Sequence, residues 1–469
     1  MPVTQRRFPY PYKAMLAICS DIDSAYPWQF KRVHRFLNTL TPAVPHYGDG
    51  VGLDIGDSFF FKNMSNKGIS VYDACYRYQN ENAWEYEFNN EAASVMDPSN
   101  ARDPITGRLR FEAGPKFIEK YIRAGWIDVL HGGDGKSGQQ HAFIRDATDW
   151  RRVDGQHYME WLAERGLKID TFTNHSAVTS DFGVPTQAST VERPRSMGDL
   201  PSSPAYWADY ARHSGIKFCW SYIPTESAAW RRTFGQDNML VPVSFRDGGK
   251  FWHFSRYNSK KPYADTVNSI LNRRNLDFLI NGNKFEVAYT HFGYLSPRGK
   301  RGGWRANLSR MIDLPGRIHR RISPAAKKRW LSCANSTKPH TMLSASSIRS
   351  FRLLKTYQDQ GSILVAKTSR LMRYNLALDH LVFTEGQADG RTIIDITAIK
   401  DPQFGDFTPT LNDLKGVTFY VSDSSKAEIR IHDTLVHENE IQRNPADETG
   451  QQSIGIKWFQ PDFTDYTIS

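Results

Sequence analysis

Residues 16–24 read LAICSDIDS: an apolar run that stops at two carboxylates, Asp21 and Asp23, separated by one isoleucine. The run is too short and stops too soon in charge for the apolar core of a secretion signal, so it reads as a first, buried strand. On a strand, residues two apart share a face, which places the two carboxylates side by side if the strand persists through them. Like charges that close repel, and burial makes the repulsion worse. A cation or a shared proton resolves it, and a divalent metal is the simplest choice, one carboxylate ligating while the other accepts a proton.

The same pattern recurs over the first three hundred residues. Strand-like runs 51–61 (VGLDIGDSFFF), 126–133 (WIDVLHGG), 168–176 (KIDTFTNHS), 217–222 (KFCWSY), 250–257 (KFWHFSRY) and 285–294 (FEVAYTHFGY) alternate with helix-like segments at 30–40, 112–125, 149–166 and 203–215. Such alternation implies a parallel sheet, and about seven units imply a closed or nearly closed barrel. In βα barrels the reactive groups gather at the rim where the strands end. The strand ends here carry Asp21 and Asp23, Asp54 and Asp57, His131 and Asp134, Asn174 and His175, Trp220, His253 and His291. From about residue 340 the runs become shorter and all strand-like, from RLMRYNLALDHLVF (370–383) to QSIGIKWF (452–459), with turn signals between them. The expected organisation is therefore an α/β barrel over 1–300, a basic connector over 301–340 and an all-β, sandwich-like domain over 341–469.

Composition fits a globular protein of 469 residues with 39% hydrophobic content and no apolar run long enough to span a bilayer. Cys19, Cys75, Cys219 and Cys333 are widely spaced, without a CxxC pair, which reads as free thiols in a reducing, cytoplasmic compartment. The formal charge of +10 is concentrated: residues 298–329 hold eleven Lys and Arg against one acid, Asp313. That stretch is read as a solvated basic face or as a surface for anionic partners, such as a lipid- or nucleotide-linked substrate or an anionic membrane. No nucleic-acid motif accompanies it.

One carboxylate with two imidazoles and open positions is the pattern of a catalytic rather than a structural metal site, and such a metal activates water and polarises a carbonyl. The residues imply hydrolysis of an acyl group. GGDGKSG (132–138) lacks the first glycine of a phosphate-binding loop, and no G-x-S-x-G elbow is present.

The Asp-x-Asp ending the first strand, the histidines at later strand ends and the final VAYTHFGY together resemble the polysaccharide deacetylase superfamily, with its NodB-like distorted (β/α)7 barrel, over roughly residues 10–300. The resemblance implies Asp21 as general base, His291 as general acid, and Asp23 and His131 as ligands of a divalent metal, Zn2+ being the first expectation. The family's two closely spaced histidines are not matched: His131 is followed by nine residues before His141, so the second imidazole ligand is open between His175 and His141, with His175 preferred because it also ends a strand. Asp134, Asn174, Asp54 and Arg145 are candidates for supporting positions, and Trp220, Trp252 and Tyr294 for stacking on a sugar ring. A β domain after the barrel is similar to deacetylase-like proteins of O-antigen and surface-polysaccharide gene clusters. The expected function is metal-dependent removal of an N-acetyl or N-formyl group from a sugar during lipopolysaccharide O-antigen or related biosynthesis. The alternatives are a glycoside hydrolase using a carboxylate pair, which would survive metal removal, and an inactive carbohydrate-binding or assembly protein.

Overall fold

The computed structural model describes residues 2–22, 25, 27–63, 70–73, 114–132, 134–135, 150–174, 180–183, 196–221, 234–257, 262–293 and 343–468. After a short strand β1 (Thr4–Arg6), the chain forms β2 (Ala14–Ser20), α1 (Pro27–Asn38), β3 (Asp57–Asn63), β4 (Ser70–Asp73), α2 (Pro115–Arg123), β5 (Ile127–His131), β6 (Asp134–Gly135), α3 (Arg152–Glu164), β7 (Thr171–Asn174), α4 (Ala208–His213), β8 (Phe218–Ser221), β9 (Leu240–Ser244), β10 (Lys250–Phe254), α5 (Arg273–Asn281) and β11 (Phe285–Thr290). Strands β11, β2, β3, β5, β7, β8 and β10 lie side by side in that order and are all parallel, with β9 antiparallel on β10. The sheet curls until its ends touch: just past β10, the Tyr257 N–H donates to the Val287 carbonyl at 2.8 Å, and the Tyr289 N–H to the Tyr257 carbonyl at 3.0 Å. The molecule is thus a mixed α/β protein with a barrel-like sheet.

β2 is buried at all seven positions, as expected of a strand covered on both faces. Met15, Ala17 and Cys19 face one core, and Ala14, Leu16 and Ile18 pack with Val33, Phe36 and Leu37 of α1 in another. A third core is aromatic, with Trp150, Tyr158, Phe172, Phe182 and Trp207 in mutual contact beneath α3 and α4.

The sequence expectation fails most clearly after residue 343. α6 (Ala345–Asp359), capped by the Ser344 hydroxyl, and β12 (Ile363–Ala366) return to the large sheet, where β12 pairs in parallel with Ala14–Ala17 of β2. RLMRYNLALDHLVF, read as strand-like, is instead largely the helix α7 (Thr368–His380). Its apolar residues alternate too loosely to fix a period, and burial decides: Leu371, Met372, Asn375 and Leu376 turn inward while Arg370 and Arg373 reach acids of the barrel. The remaining strands, β13 (Leu381–Ala388), β14 (Arg391–Ile399), β15 (Thr418–Val421), β16 (Ala427–Ile431), β17 (Thr434–Leu435), β18 (Ile441–Asn444) and β19 (Gln452–Ile456), form two four-stranded sheets, one of which takes β1 from the opposite end of the chain. Ile394, Phe419 and Ile454 of these sheets share one core with Met15, Phe285 and Trp252, so hydrophobic packing is continuous across the position expected for a domain boundary. The expected connector, 301–340, lies outside the described residues. Among them, no helix is long and apolar enough to cross a membrane, and Cys19 and Cys219 are buried free thiols.

α7 lies across the side of the barrel where strands begin. Asp54 pairs with Lys367 and Arg370 at 3.2 and 2.6 Å, Asp170 takes Arg373, and Asp128 of β5 accepts the Ser369 N–H and hydroxyl, both at 2.9 Å. The second oxygen of Asp128 is buried without a partner and lies against Gly56, where a Cβ would meet it at 1.9 Å. Burial raises the Asp128 carboxyl from 3.8 to about 6, against the opposing Ser369 hydrogen bonds. A raised carboxyl holds its proton more tightly in the folded state than in the unfolded chain, so its contribution to stability is full below about pH 4 and is lost as pH rises through about 6. Urea unfolding of wild type and Asp128→Asn at pH 4 and pH 7 should show the wild type losing ~1–3 kcal/mol relative to the variant over that interval. Parallel pH curves would refute the assignment.

Candidate active site

Five strands deliver their ends to one place. Asp21 follows β2, His131 closes β5, Trp220 is one residue from the end of β8, Arg256 lies two residues beyond β10, and Tyr289 and His291 bracket the end of β11. The backbone locks these ends together. The Asp21 N–H donates to the Thr290 carbonyl at 3.0 Å, the Ile22 N–H to the Ser58 hydroxyl at 3.1 Å, and the Phe292 N–H to the Ser20 hydroxyl at 3.2 Å. Ser20 also hydrogen-bonds Asp57, which accepts the Ser58 N–H at 2.8 Å and lies 3.3 Å from the buried His34. Burial raises the Asp57 carboxyl, with His34 opposing, and Asp57 braces the rim from below rather than lining it.

Asp21 has no exposed surface. A buried carboxylate is tolerable only with partners, and Arg256, itself 2% exposed, supplies two: Nη1 to Oδ1 at 2.7 Å and Nη2 to Oδ2 at 3.4 Å. Burial opposes the guanidinium charge, but the Asp21 carboxylate more than offsets that and holds Arg256 protonated. The guanidinium is slotted between two rings, 3.6 Å from the Trp220 centroid and 4.2 Å from that of Tyr289, the rings being within 17° of parallel. The Cys19 thiol lies 3.5 Å from Nη1, and burial pushes it up to about 12, far from a reactive thiolate.

Two imidazoles flank the carboxylate, His131 Nε2 at 3.7 Å and His291 Nε2 at 3.9 Å from Asp21 Oδ2. Their hydrogen bonds assign them opposite tautomers. His131 Nδ1 accepts the Gly132 N–H at 2.9 Å, so the ring proton sits on Nε2, facing Asp21. His291 Nδ1 lies 3.2 Å from the Pro262 carbonyl, which can only accept, so that proton sits on Nδ1 and leaves Nε2 open to the Tyr289 hydroxyl at 3.0 Å. One imidazole therefore offers Asp21 a proton, and the other can take one.

Of the residues singled out from the sequence, Asp21, His131, His291 and Trp220 meet here. Asn174 ends β7 but is fully buried, its amide exchanging both hydrogen bonds with the Phe182 backbone. Asp54 is a correction: it lies three residues before β3 begins, on the opposite side, bound to α7, because 51–56 is not strand. Trp252 is another: it is 3% exposed in the shared core, with its indole N–H donating to Asp401, and does not reach the rim. Asp23, His175, His141, Arg145 and Tyr294 lie outside the described residues, as does the side chain of Asp134 and the basic stretch 298–329. Sequence reasoning missed Arg256 and Tyr289. The only available signal was an arginine at the end of the aromatic run KFWHFSRY, which needs the barrel to bring it opposite Asp21.

Among the described residues, no group of three or more His, Cys, Asp or Glu side chains is arranged to hold a metal ion. His131 is the one described member of the expected ligand set. A strand-end imidazole beside a buried carboxylate suits a divalent cation, on the condition that its proton moves to Nδ1 and the Gly132 N–H contact is given up.

No family model matches this chain, and none of the curated proteins does.

Proposed function

We propose that this protein is a carbohydrate de-N-acylase, a hydrolase that removes an N-acetyl or N-formyl group from a sugar during surface-polysaccharide biosynthesis. In this reading the curled sheet is a NodB-like distorted (β/α)7 barrel, the small sheets are a sandwich-like accessory unit, and the enzyme works in the cytoplasm on a lipid- or nucleotide-linked saccharide. The single observation that supports it is the fully buried Asp21, held by Arg256 and flanked by two imidazoles of opposite tautomer.

Asp21 orients and deprotonates water, and Arg256 keeps the carboxylate in place between turnovers. The proton Asp21 takes from water passes to His291 Nε2, 3.9 Å away, which delivers it to the departing amine, with Tyr289 steering the ring and the Pro262 carbonyl holding the opposite nitrogen. A divalent cation held by Asp23, His131 and His175, with His141 the alternative to His175, would polarise the acyl carbonyl and offset the charge that develops there. The half-buried Trp220 stands beside this group, where a sugar face can stack.

Proton NMR of the purified protein with UDP-N-acetylglucosamine, UDP-N-formyl sugar and N-acetylchitopentaose, before and after chelation and Zn2+ return, tests this reading. Acetate or formate should appear, stop on chelation and return with metal. New reducing ends without free acid, or no product from any of the three, would overturn it.

A further inference from the structure

A second recess lies on the other side of the molecule, and neither Asp21 nor its neighbours contribute to it. It encloses about 400 Å³ between five segments distant in sequence: the chain just before β2, the loop at Gly52 and Asp54, the stretch from the end of α6 into α7, Gln442 of β18, and the tail that follows β19. That volume is within the range of small-ligand sites. Val365, in its lining, is the register partner of Leu16, five residues before Asp21, so the recess sits ~16 Å from the catalytic rim along β2.

Its lining combines aromatic rings with amides fixed at one end. Tyr12, Trp458 and Phe459 are partly exposed, and Trp458 meets Phe459 edge-on at 5.2 Å. The Gln358 carbonyl oxygen is spent on the Val365 N–H, which leaves the amino group without a hydrogen bond among the described residues. The Gln442 amino group is spent on the Tyr10 carbonyl, which leaves its oxygen. Each amide is thus oriented by the fold and presents the half it does not use, one a donor and the other an acceptor. Of the two cations in the lining, Arg370 pairs with Asp54 and covers one face of Phe459 at 4.1 Å, and Lys457 donates to the Asn439 carbonyl. The Asp54 carboxylate in the lining, already paired with Arg370, disfavours an anion such as phosphate, and a lipid chain would strand the amides in an apolar contact. A sugar ring has apolar C–H faces for aromatic side chains and hydroxyls that serve as donor and acceptor at once.

We propose that this recess is a second saccharide-binding site that takes one or two neutral sugar residues independently of the catalytic rim. It does not depend on the de-N-acylase reading, since a protein with an inactive barrel would keep it. Isothermal titration with cellopentaose, maltopentaose and N-acetylchitopentaose, each to about 10 mM, is the test. At least one should bind wild type, bind Trp220→Ala equally well, and bind Gln442→Leu or Gln358→Leu about tenfold more weakly with the melting temperature unchanged, as loss of one oriented hydrogen bond predicts. The half-exposed amides lie outside the core, and using two separate variants guards against one that folds poorly. Failure of all three sugars to bind would overturn the proposal, as would binding that survives both glutamine changes or that is lost in Trp220→Ala.

Discussion

Arg256→Met is expected to destabilise the protein by ~3–5 kcal/mol and to abolish hydrolysis, because it leaves a fully buried carboxylate without its counter-charge. The larger part of that loss is the cost of the uncompensated Asp21 charge, not the worth of the contact itself. It follows that Asp21→Asn in the same chain should recover most of the stability while activity stays absent. Asp21→Asn alone should be less damaging to the fold than Arg256→Met alone, since the guanidinium it leaves without a counter-charge still lies between the Trp220 and Tyr289 rings, whereas the carboxylate left by Arg256→Met has no such support. Urea unfolding of the two single variants and the double variant closes the cycle, and losses that simply add would show that the two side chains do not act as a pair. Arg256→Lys separates charge from shape. Lysine keeps the charge but lacks the planar fork and the stacking between Trp220 and Tyr289, so stability should fall less than in Arg256→Met while turnover remains at least tenfold down.

Local pattern carried the barrel and half of its rim. An apolar run stopped by acid, followed by helix-like spacing, was enough to place β2, β5, β7, β8, β10 and β11 and to bring Asp21, His131 and His291 to their ends. What it could not carry were the features decided by distant segments. β12 and α7 look like further members of a β-rich tail until β12 is seen to pair with Ala14–Ala17 and α7 to answer Asp54, Asp128 and Asp170 with Lys367, Ser369, Arg370 and Arg373. Those acids are on loops and strand beginnings more than two hundred residues earlier, and no local period encodes that they need a basic helix. Arg256 escaped for the same reason: alone it is one arginine after an aromatic strand, and only barrel closure sets it against Asp21. Trp252 went the other way, because an aromatic near a strand end looks the same in sequence whether it faces a ligand or a core.

His291→Ala is expected to lower kcat for an N-acyl sugar by ~10²–10⁴ with little change in KM, as removal of a general acid does. The geometry makes a sharper demand than the size of the loss. With Nδ1 committed to the Pro262 carbonyl, only Nε2 can deliver the proton, and its destination is the departing amine. A leaving group that departs well without a proton should then hardly need His291. Phenyl acetate, whose phenolate leaves without prior protonation, should therefore lose no more than about severalfold in the variant, far less than an N-acetyl sugar does; equal losses on both substrates would mean that His291 positions Asp21 instead of moving a proton. Tyr289→Phe sharpens the distinction, because it keeps the ring against Arg256 while deleting the hydroxyl that meets Nε2 at 3.0 Å. If that hydroxyl steers the ring, the loss in Tyr289→Phe should be intermediate and should again be larger for the amide than for the ester. The fold itself should be unaffected, since His291 is at the rim and the Arg256 to Asp21 pair is intact in both variants.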